Sequence, residues 1–207
     1  IGSESGTLNI STSTFSHCSA GYYGGAIYSS GSVFTLTSST MTNCSAGWYG
    51  GGIYNDGGTF NITTSFFSNC WAPYCGGAIY NSGSTLIIST TSFENCTALL
   101  GGAISSFYGS TVNITTTSFS NCTAGDSGGA IRSGLEGSIN IISTSFTNCS
   151  APNGGAIENY GNILTTSSSI FSNCSAGQHG GAIYNIGGGT LTVSSSSFQN
   201  CSAPSGS

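Results

Sequence analysis

Eight of the nine cysteines recur at a nearly constant spacing and are the residues of this sequence most suited to chemistry. Successive members are 25 to 27 residues apart, and they are Cys18, Cys44, Cys70, Cys96, Cys122, Cys149, Cys174 and Cys201. A structural zinc site uses closely spaced ligand pairs such as Cys-x-x-Cys, often together with histidines. No such pair occurs, and no histidine recurs with the cysteines. The pattern therefore predicts neither a metal site nor a cofactor.

The constant spacing instead suggests that the cysteines form a column on neighbouring parallel strands. Their Cα atoms would then be about 4.8 Å apart, which is inside the window of about 4.4–6.8 Å that a disulfide requires. Side chains of in-register neighbours point the same way, which strains the disulfide dihedral. We therefore favour a buried ladder of thiols that serve as small apolar groups, with disulfides between neighbours as the alternative. The ninth cysteine, Cys75, lies outside the column and is a candidate for a reactive or intermolecular thiol.

The acidic residues are the other group that could support catalysis. Glu4 and Asp56 occupy equivalent positions two repeats apart, roughly 9.6 Å at the spacing of parallel strands, near the upper limit for an inverting pair of carboxylates. The sequence has no lysine, and its other basic side chains lie in different columns: Arg132, His17 and His179. The remaining acids also scatter over different columns: Glu94, Asp126, Glu136 and Glu158. We interpret them as solvated acids in turns and predict that the chain is not an enzyme.

Charge and hydropathy exclude several classes of protein. Charged residues make up 3% of the sequence, with six acids against the single Arg132. A protein that binds nucleic acid needs a basic surface, which is absent. No run of 18 or more apolar residues occurs, so no membrane span is predicted. Residue 1 already lies within a repeat, so we expect no signal peptide in this sequence and treat residues 1–207 as a single domain.

The elements that must position these residues are revealed by the repeat itself. The tetrad Gly-Gly-Ala-Ile ends at Ile27, Ile79, Ile104, Ile131, Ile157 and Ile183, and Gly-Gly-Gly-Ile ends at Ile53. A fixed period of about 26 residues is typical of a solenoid. Each repeat has three short strand signals: Ala-Ile-Tyr, an alternating pair such as Leu86 and Ile88, and Ser/Thr-x-Phe. The sequence therefore predicts an all-β parallel β-helix of eight coils with three strands per coil.

Four columns follow from this arrangement. The isoleucines of the tetrads and the phenylalanines of the third strand, with Met41 standing in once, are expected to form the core. The residue two positions before each phenylalanine is always Ser or Thr, which predicts a ladder of hydroxyls at a corner: Ser13, Ser39, Ser65, Thr91, Thr117, Thr144, Ser169 and Ser196. After each isoleucine, tyrosines should stack on the outer face at Tyr28, Tyr54, Tyr80 and Tyr184. We favour cross-strand pairing over ligand binding as the role of the tyrosines.

The paired motifs Gly-Gly-Ala-Ile and Phe-x-Asn-Cys resemble the repeat of the polymorphic outer membrane proteins (Pmp) of chlamydiae, which also occurs in other bacterial and protist surface proteins. The resemblance covers all eight repeats and implies a right-handed parallel β-helix in an adhesin or cell-surface protein. This sequence departs from the Phe-x-x-Asn pattern of the family, as in Phe93-Glu94-Asn95-Cys96, where cysteine holds the position of the asparagine. The outer-membrane barrel of the family is also missing, so its autotransport is not implied.

Asparagines form two columns that contain N-glycosylation sequons. The residue before each column cysteine is Asn43, Asn69, Asn95, Asn121, Asn148, Asn173 or Asn200, with His17 in the first repeat. This column persists at Asn69, where Trp71 destroys the sequon, so we predict a buried ladder of amides that satisfies the backbone at the corner. The second column lies between inward apolar residues and should face outward. Its members Asn9, Asn61 and Asn113 are therefore the preferred glycosylation candidates.

The corner before each Gly-Gly pair varies from repeat to repeat. In the first four repeats it carries a predicted lateral contact strip: Tyr22, Tyr23, Trp48, Tyr49, Tyr74, Leu99 and Leu100. Contiguous apolar patches of this kind usually mark an interface. We predict a structural, extracellular or cell-surface β-solenoid that associates with itself and is a glycoprotein. The alternatives are an adhesin that binds carbohydrate or protein and, less favoured, a polysaccharide lyase or hydrolase.

The two ends of the sequence lie in register with the repeat, and neither carries an atypical capping repeat. Ile1 falls in the column of Ile27, and Ser207 falls in the corner that elsewhere leads into the next tetrad. Solenoids normally cap such ends. We therefore expect either a segment of a longer solenoid or head-to-tail stacking of copies, and a continuous fibre in both cases.

Overall fold

Each repeat forms one coil of a parallel β-solenoid, as the sequence predicts. The structure is a computed structural model that describes residues 1–204, and in this part of the chain every paired strand is parallel to its neighbours. We number the coils 1 to 8 by the order of their strands in sheet A, the sheet that follows the glycine tetrads. Three eight-stranded sheets run the length of the molecule, each containing one strand from every coil in order. None of the described residues is helical, so there is no helix long and apolar enough to cross a membrane.

Sheet A follows the glycine tetrads. Its strands are Gly2–Ser3, Ile27–Ser30, Ile53–Asp56, Ile79–Ser82, Ile104–Phe107, Ile131–Gly134, Ile157–Tyr160 and Ile183–Ile186. Sheet B contains the longest strands, which are Gly6–Ser11, Ser32–Thr37, Thr59–Thr63, Thr85–Ser89, Thr111–Thr115, Ser138–Ile142, Ile163–Ser167 and Thr190–Ser194. Sheet C holds the phenylalanine column in strands Thr14–Ser16, Thr40–Thr42, Phe66–Ser68, Ser92–Glu94, Ser118–Ser120, Ser145–Thr147, Ile170–Ser172 and Ser197–Gln199.

A fourth set of short strands lies at the variable corner, and the sequence did not predict it. Four strands pair there in one sheet: Thr97–Leu100, Thr123–Ser127, Ser150–Asn153 and Ser175–His179. Two more, Ser19–Ala20 and Ser45–Ala46, pair with each other. The register shifts within this corner sheet because the corners differ in length. Sheets A, B and C show no such shift.

The core is a set of stacked columns, as predicted. Ile27, Leu36 and Phe67 represent the three sheets, and each is fully buried. Rings of successive phenylalanines from Phe67 to Phe198 lie 4.7–4.9 Å apart, which measures the rise per coil. The hydroxyl column is also present. Ser39 donates to the carbonyl oxygen of Thr37 at 2.9 Å and accepts from the backbone N–H of Ser13 at 3.1 Å, so it satisfies the backbone between two coils.

Candidate functional site

The eight column cysteines lie in one row beneath the corner between sheet C and the corner strands. Six are fully buried, whereas Cys18 and Cys201 are half-buried. All nine cysteines of the chain are free thiols in the structure. Each column thiol donates a weak hydrogen bond to the carbonyl oxygen two residues before it. Cys122, for example, lies 3.5 Å from the carbonyl oxygen of Ser120 and 3.8 Å from that of Phe93 in the preceding coil.

Hydrogen bonds between neighbouring thiols shift the pKa values along the column in both directions. Hydrogen bonding to Cys70, reinforced by burial, raises the pKa of Cys44 far above its ordinary value of 9.0. Hydrogen bonds to the neighbouring thiols and burial likewise raise the pKa of Cys122. Hydrogen bonds with their neighbours instead lower the pKa of Cys96 and Cys149. All four side chains are fully buried, so reagents and metal ions do not reach them, and they act as small core side chains. Within the described residues, no three His, Cys, Asp or Glu side chains lie close enough together to hold a metal ion.

Cys75 lies off the column, but it is not an accessible thiol. Its backbone pairs with that of Tyr49 on one side and that of Leu100 on the other in the stacked corners, and the residue is only 8% exposed. Burial raises its pKa to about 11, and the charge of Arg132 lowers it only in part. The expectation of a reactive or intermolecular thiol is therefore contradicted by the burial of this side chain.

Alkylation of the native protein tests this account of the thiols. A brief exposure to iodoacetamide should modify at most the half-buried Cys18 and Cys201, whereas denatured protein should be modified at all nine cysteines. Peptide mass spectrometry measures both. Rapid labelling of Cys75 in the native state, or fewer than nine reactive thiols after denaturation without reductant, would contradict it. The second result would indicate disulfides between neighbouring coils.

The predicted burial of the corner asparagines is wrong. Asn43, Asn69, Asn95, Asn121, Asn148, Asn173 and Asn200 are all exposed. Their φ angles lie between 51° and 54°, and His17 has the same conformation. Asparagine is among the few non-glycine residues that tolerate this left-handed region. The backbone conformation therefore explains the column. The amides pair along the surface, as where Asn148 Nδ2 donates to Asn121 Oδ1 at 3.2 Å.

A buried ladder of amides does exist, but in sheet A. Asn55 donates to Asn81 Oδ1 at 2.9 Å, and Asn159 donates to Asn185 Oδ1 at 2.7 Å. Ser106 and Ser133 occupy the same column between them. The sequence signal was the recurring Asn two residues after the tetrad isoleucine, where strand alternation points a side chain inward.

Exposure of the corner column changes the comparison between the two sets of sequons. Asn9 is exposed, whereas Asn61 and Asn113 are half-buried on the outer face of sheet B, so all three face outward as expected. The corner asparagines are at least as accessible, so the orientation argument no longer separates the two columns. Glycosylation of Asn9, Asn61 and Asn113 stays a prediction.

The residues of the lateral contact strip lie together on successive corners. Tyr22 is 62% exposed and contacts Trp48 edge-on with ring centroids 5.2 Å apart. Tyr74 and Leu99 are also exposed, whereas Tyr23, Tyr49 and Leu100 are half-buried beneath them. Trp71 is exposed on the same corner and was not included in the strip.

The tyrosine column of sheet A packs against this strip. Tyr28, Tyr54 and Tyr80 stack with ring centroids 5.3 and 5.1 Å apart. Tyr23 packs on Tyr54, and Tyr49 packs on Tyr80 at 5.0 Å. Burial raises the pKa of Tyr54 to about 12, so its phenol stays neutral. The strip and the column are therefore one aromatic cluster that covers the first four coils.

Beyond these four coils an ion pair occupies the tyrosine column. Arg132 Nε lies 3.2 Å from Glu158 Oε1 and 3.1 Å from Ser127 Oγ. The guanidinium also lies over the rings of Phe107 and Tyr160. Asp56 pairs with Ser30 in sheet A, whereas Glu4 lies one residue beyond the strand Gly2–Ser3 and is outside the sheet. No pocket was found beside them or elsewhere on residues 1–204.

Comparison of this chain with models of protein families, with curated proteins and with solved structures found no significant match.

Proposed function

We propose that the chain is a structural β-solenoid that forms a rod in an extracellular or cell-surface filament. The observation that carries this proposal is the uninterrupted stacking of eight coils through three in-register sheets. Eight coils at the spacing of parallel strands advance the rod by roughly 38 Å. The in-register pairing of sheets A, B and C is the same along the whole length, so additional coils can be added without a new kind of backbone interface.

We infer that stacking of the same kind joins copies of the chain. Within the chain, Leu164 and Phe171 in coil 7 are fully buried by the coil that follows them. A coil of another copy would cover the apolar side chains of the coil beneath it in the same way and pair its strand edges. Stacking of copies would be head-to-tail and would give a fibre.

The proposed location is supported by the sequence motifs. The repeat resembles that of Pmp-like surface proteins, and the outward asparagines carry sequons that are used only in secreted proteins. The chain is also proposed to be non-catalytic, because its acids are scattered and its single arginine is paired with Glu158. Adhesion to a carbohydrate or a protein is the second candidate function, and the exposed aromatic cluster is the observation that favours it.

In the proposed filament the lateral contact strip makes the contact between neighbouring rods. Replacing Trp48 and Tyr49 together by serine should weaken lateral association about tenfold or more, because exposed aromatic residues dominate such interfaces. Sedimentation velocity and negative-stain imaging measure the association, and circular dichroism checks that the β-fold persists. Ile163→Ser with Ile170→Ser is the matched control, since both side chains are exposed but lie on strands of sheets B and C. Unchanged association of the double variant would contradict the assignment.

A further inference from the structure

The outer face of sheet B is an ordered array of hydroxyl groups. Three columns of side chains point outward from it, and Thr59, Asn61 and Thr63 represent them in coil 3. Most of the outward residues in the eight coils are Thr or Ser, four are Asn, and four are aliphatic. None of the outward residues is charged and none is aromatic. Every strand pairs with its neighbours in register, so each column is continuous along the rod.

The array keeps its order from coil to coil. The rings of Phe34 and Phe60, which face inward from sheet B, differ in plane by 7°. Successive phenylalanines of sheet C differ by 2° to 12°. Side chains of one column therefore repeat in nearly the same orientation in successive coils.

The hydroxyls therefore form a lattice with two fixed repeats. Along the rod the repeat equals the rise per coil, 4.7–4.9 Å. Along each strand, which runs across the rod, alternate residues are separated by about 6.6 Å. Threonine is branched at Cβ, so its hydroxyl and methyl groups have few orientations. Ser89 Oγ, for instance, donates to Thr63 Oγ1 of the preceding coil at 3.3 Å, which further fixes the outer column.

The chemistry of this face defines its ligand. Each hydroxyl both donates and accepts a hydrogen bond, and the methyl groups order the water beside them. No charge is present to attract an ion or to impose its own hydration shell. A matching ligand is neutral, periodic in two dimensions, and able to donate and accept at most lattice points. We propose that the outer face of sheet B binds the surface of ice.

A crystalline polysaccharide is the other neutral and periodic ligand. Sugar rings are usually bound through exposed aromatic side chains, and none of the outward side chains of sheet B is aromatic. The exposed Tyr108 and Tyr160 lie where sheet A leads into sheet B, whereas Tyr22, Trp48, Trp71 and Tyr74 lie on the variable corner. The face is also wide enough to hold several rows of water in place at once, because three columns extend through eight coils. These observations favour ice, and binding to a crystalline polysaccharide is the alternative result that the test distinguishes.

The test compares two pairs of substitutions of the same kind. Thr85→Tyr with Thr111→Tyr places two rings on neighbouring coils of the sheet B face, where tyrosine remains a good strand former. Ser118→Tyr with Ser145→Tyr does the same on sheet C, where Phe66 and Ile170 already occupy that column. Sugar on Asn61 or Asn113 would cover the face, so this proposal excludes their glycosylation, and the protein is produced in a host without N-glycosylation.

Thermal hysteresis and adsorption of dye-labelled protein to a single crystal of ice are the two measurements. The wild type and the sheet C variant should lower the freezing point below the melting point and label ice planes, and the sheet B variant should lose both activities while keeping its circular dichroism and Tm. Absence of both activities in the wild type would overturn the proposal. So would equal loss in both variants, or binding to powdered cellulose or chitin without any effect on ice.

Discussion

Replacing Gly129 by alanine is expected to lower the free energy of unfolding by at least about 3 kcal/mol, at the upper end of the cost of overpacking. Gly129 is the second glycine of the tetrad in coil 6, and its backbone N–H donates to the carbonyl oxygen of Gly154 at 3.2 Å. An added Cβ would overlap the carbonyl oxygen of Gly155 and lie 2.6 Å from the backbone nitrogen of Ser150. Both obstacles are backbone atoms of the next coil, so neither can move without separating the coils.

Gly177→Ala is the matched control. A Cβ there would meet only Pro152 Cα, at an ordinary contact distance of 3.6 Å, and the residue lies on an exposed corner strand. This substitution should change the free energy of unfolding by less than about 0.5 kcal/mol, as is usual for surface positions. Urea unfolding followed by circular dichroism compares the two variants. If Gly129→Ala were as stable as Gly177→Ala, close approach of the coils would not be the reason for the glycine pair.

The fold could be predicted from the sequence because one physical requirement is repeated eight times. An inward residue must match the residue above and below it, so Phe93 and Phe119 recur in the same place and reveal the period. The corner sheet could not be predicted in this way. Apart from Thr123, strand Thr123–Ser127 contains none of the residues that favour strands. It pairs because the stacked coils on either side of it hold the backbones together.

The errors in the candidate site have a related cause. The asparagine before each cysteine was assigned to the interior because it recurs, but a backbone conformation recurs as regularly as a buried side chain. At Asn95 the φ angle of 52° demands a tolerant residue, and the amide itself is exposed. Cys75 was expected to be accessible because its corner varies. Its depth depends on pairing with Tyr49 and Leu100, which no single repeat encodes.

The ion pair of Arg132 and Glu158 contains the only strongly basic residue and is nearly enclosed. The two side chains are 15% and 8% exposed, and both extend from sheet A on adjacent coils. Burial raises the pKa of Glu158 above its ordinary value of 4.5, and the nearby Asp126 adds to this, whereas Arg132 and Ser127 oppose it. The guanidinium is therefore the main group that keeps the Glu158 carboxylate ionised in this position.

Removal of the arginine should consequently produce a loss of stability that depends on pH. Arg132→Met leaves the Glu158 carboxylate buried without its counter-charge, which costs about 3 kcal/mol at pH 7, the lower end for breaking a buried pair. Without Arg132 the folded-state pKa of Glu158 rises further above 4.5, so the folded protein binds the proton more tightly than the unfolded chain. Protonation then restores the stability. It is fully regained below the unfolded pKa and is lost again as the pH rises through the folded pKa.

The double variant Arg132→Met with Glu158→Gln separates charge from packing. It has no carboxylate at this position, so its stability relative to wild type should vary little between pH 4 and pH 7 and should exceed that of Arg132→Met at pH 7. Urea unfolding at several pH values measures the three proteins. If the free energy of unfolding of Arg132→Met stays below that of wild type by the same amount from pH 7 to pH 4, the lost contacts with Phe107 and Tyr160 determine the loss of stability. If this difference shrinks on acidification and is removed by Glu158→Gln, the uncompensated charge of Glu158 determines it.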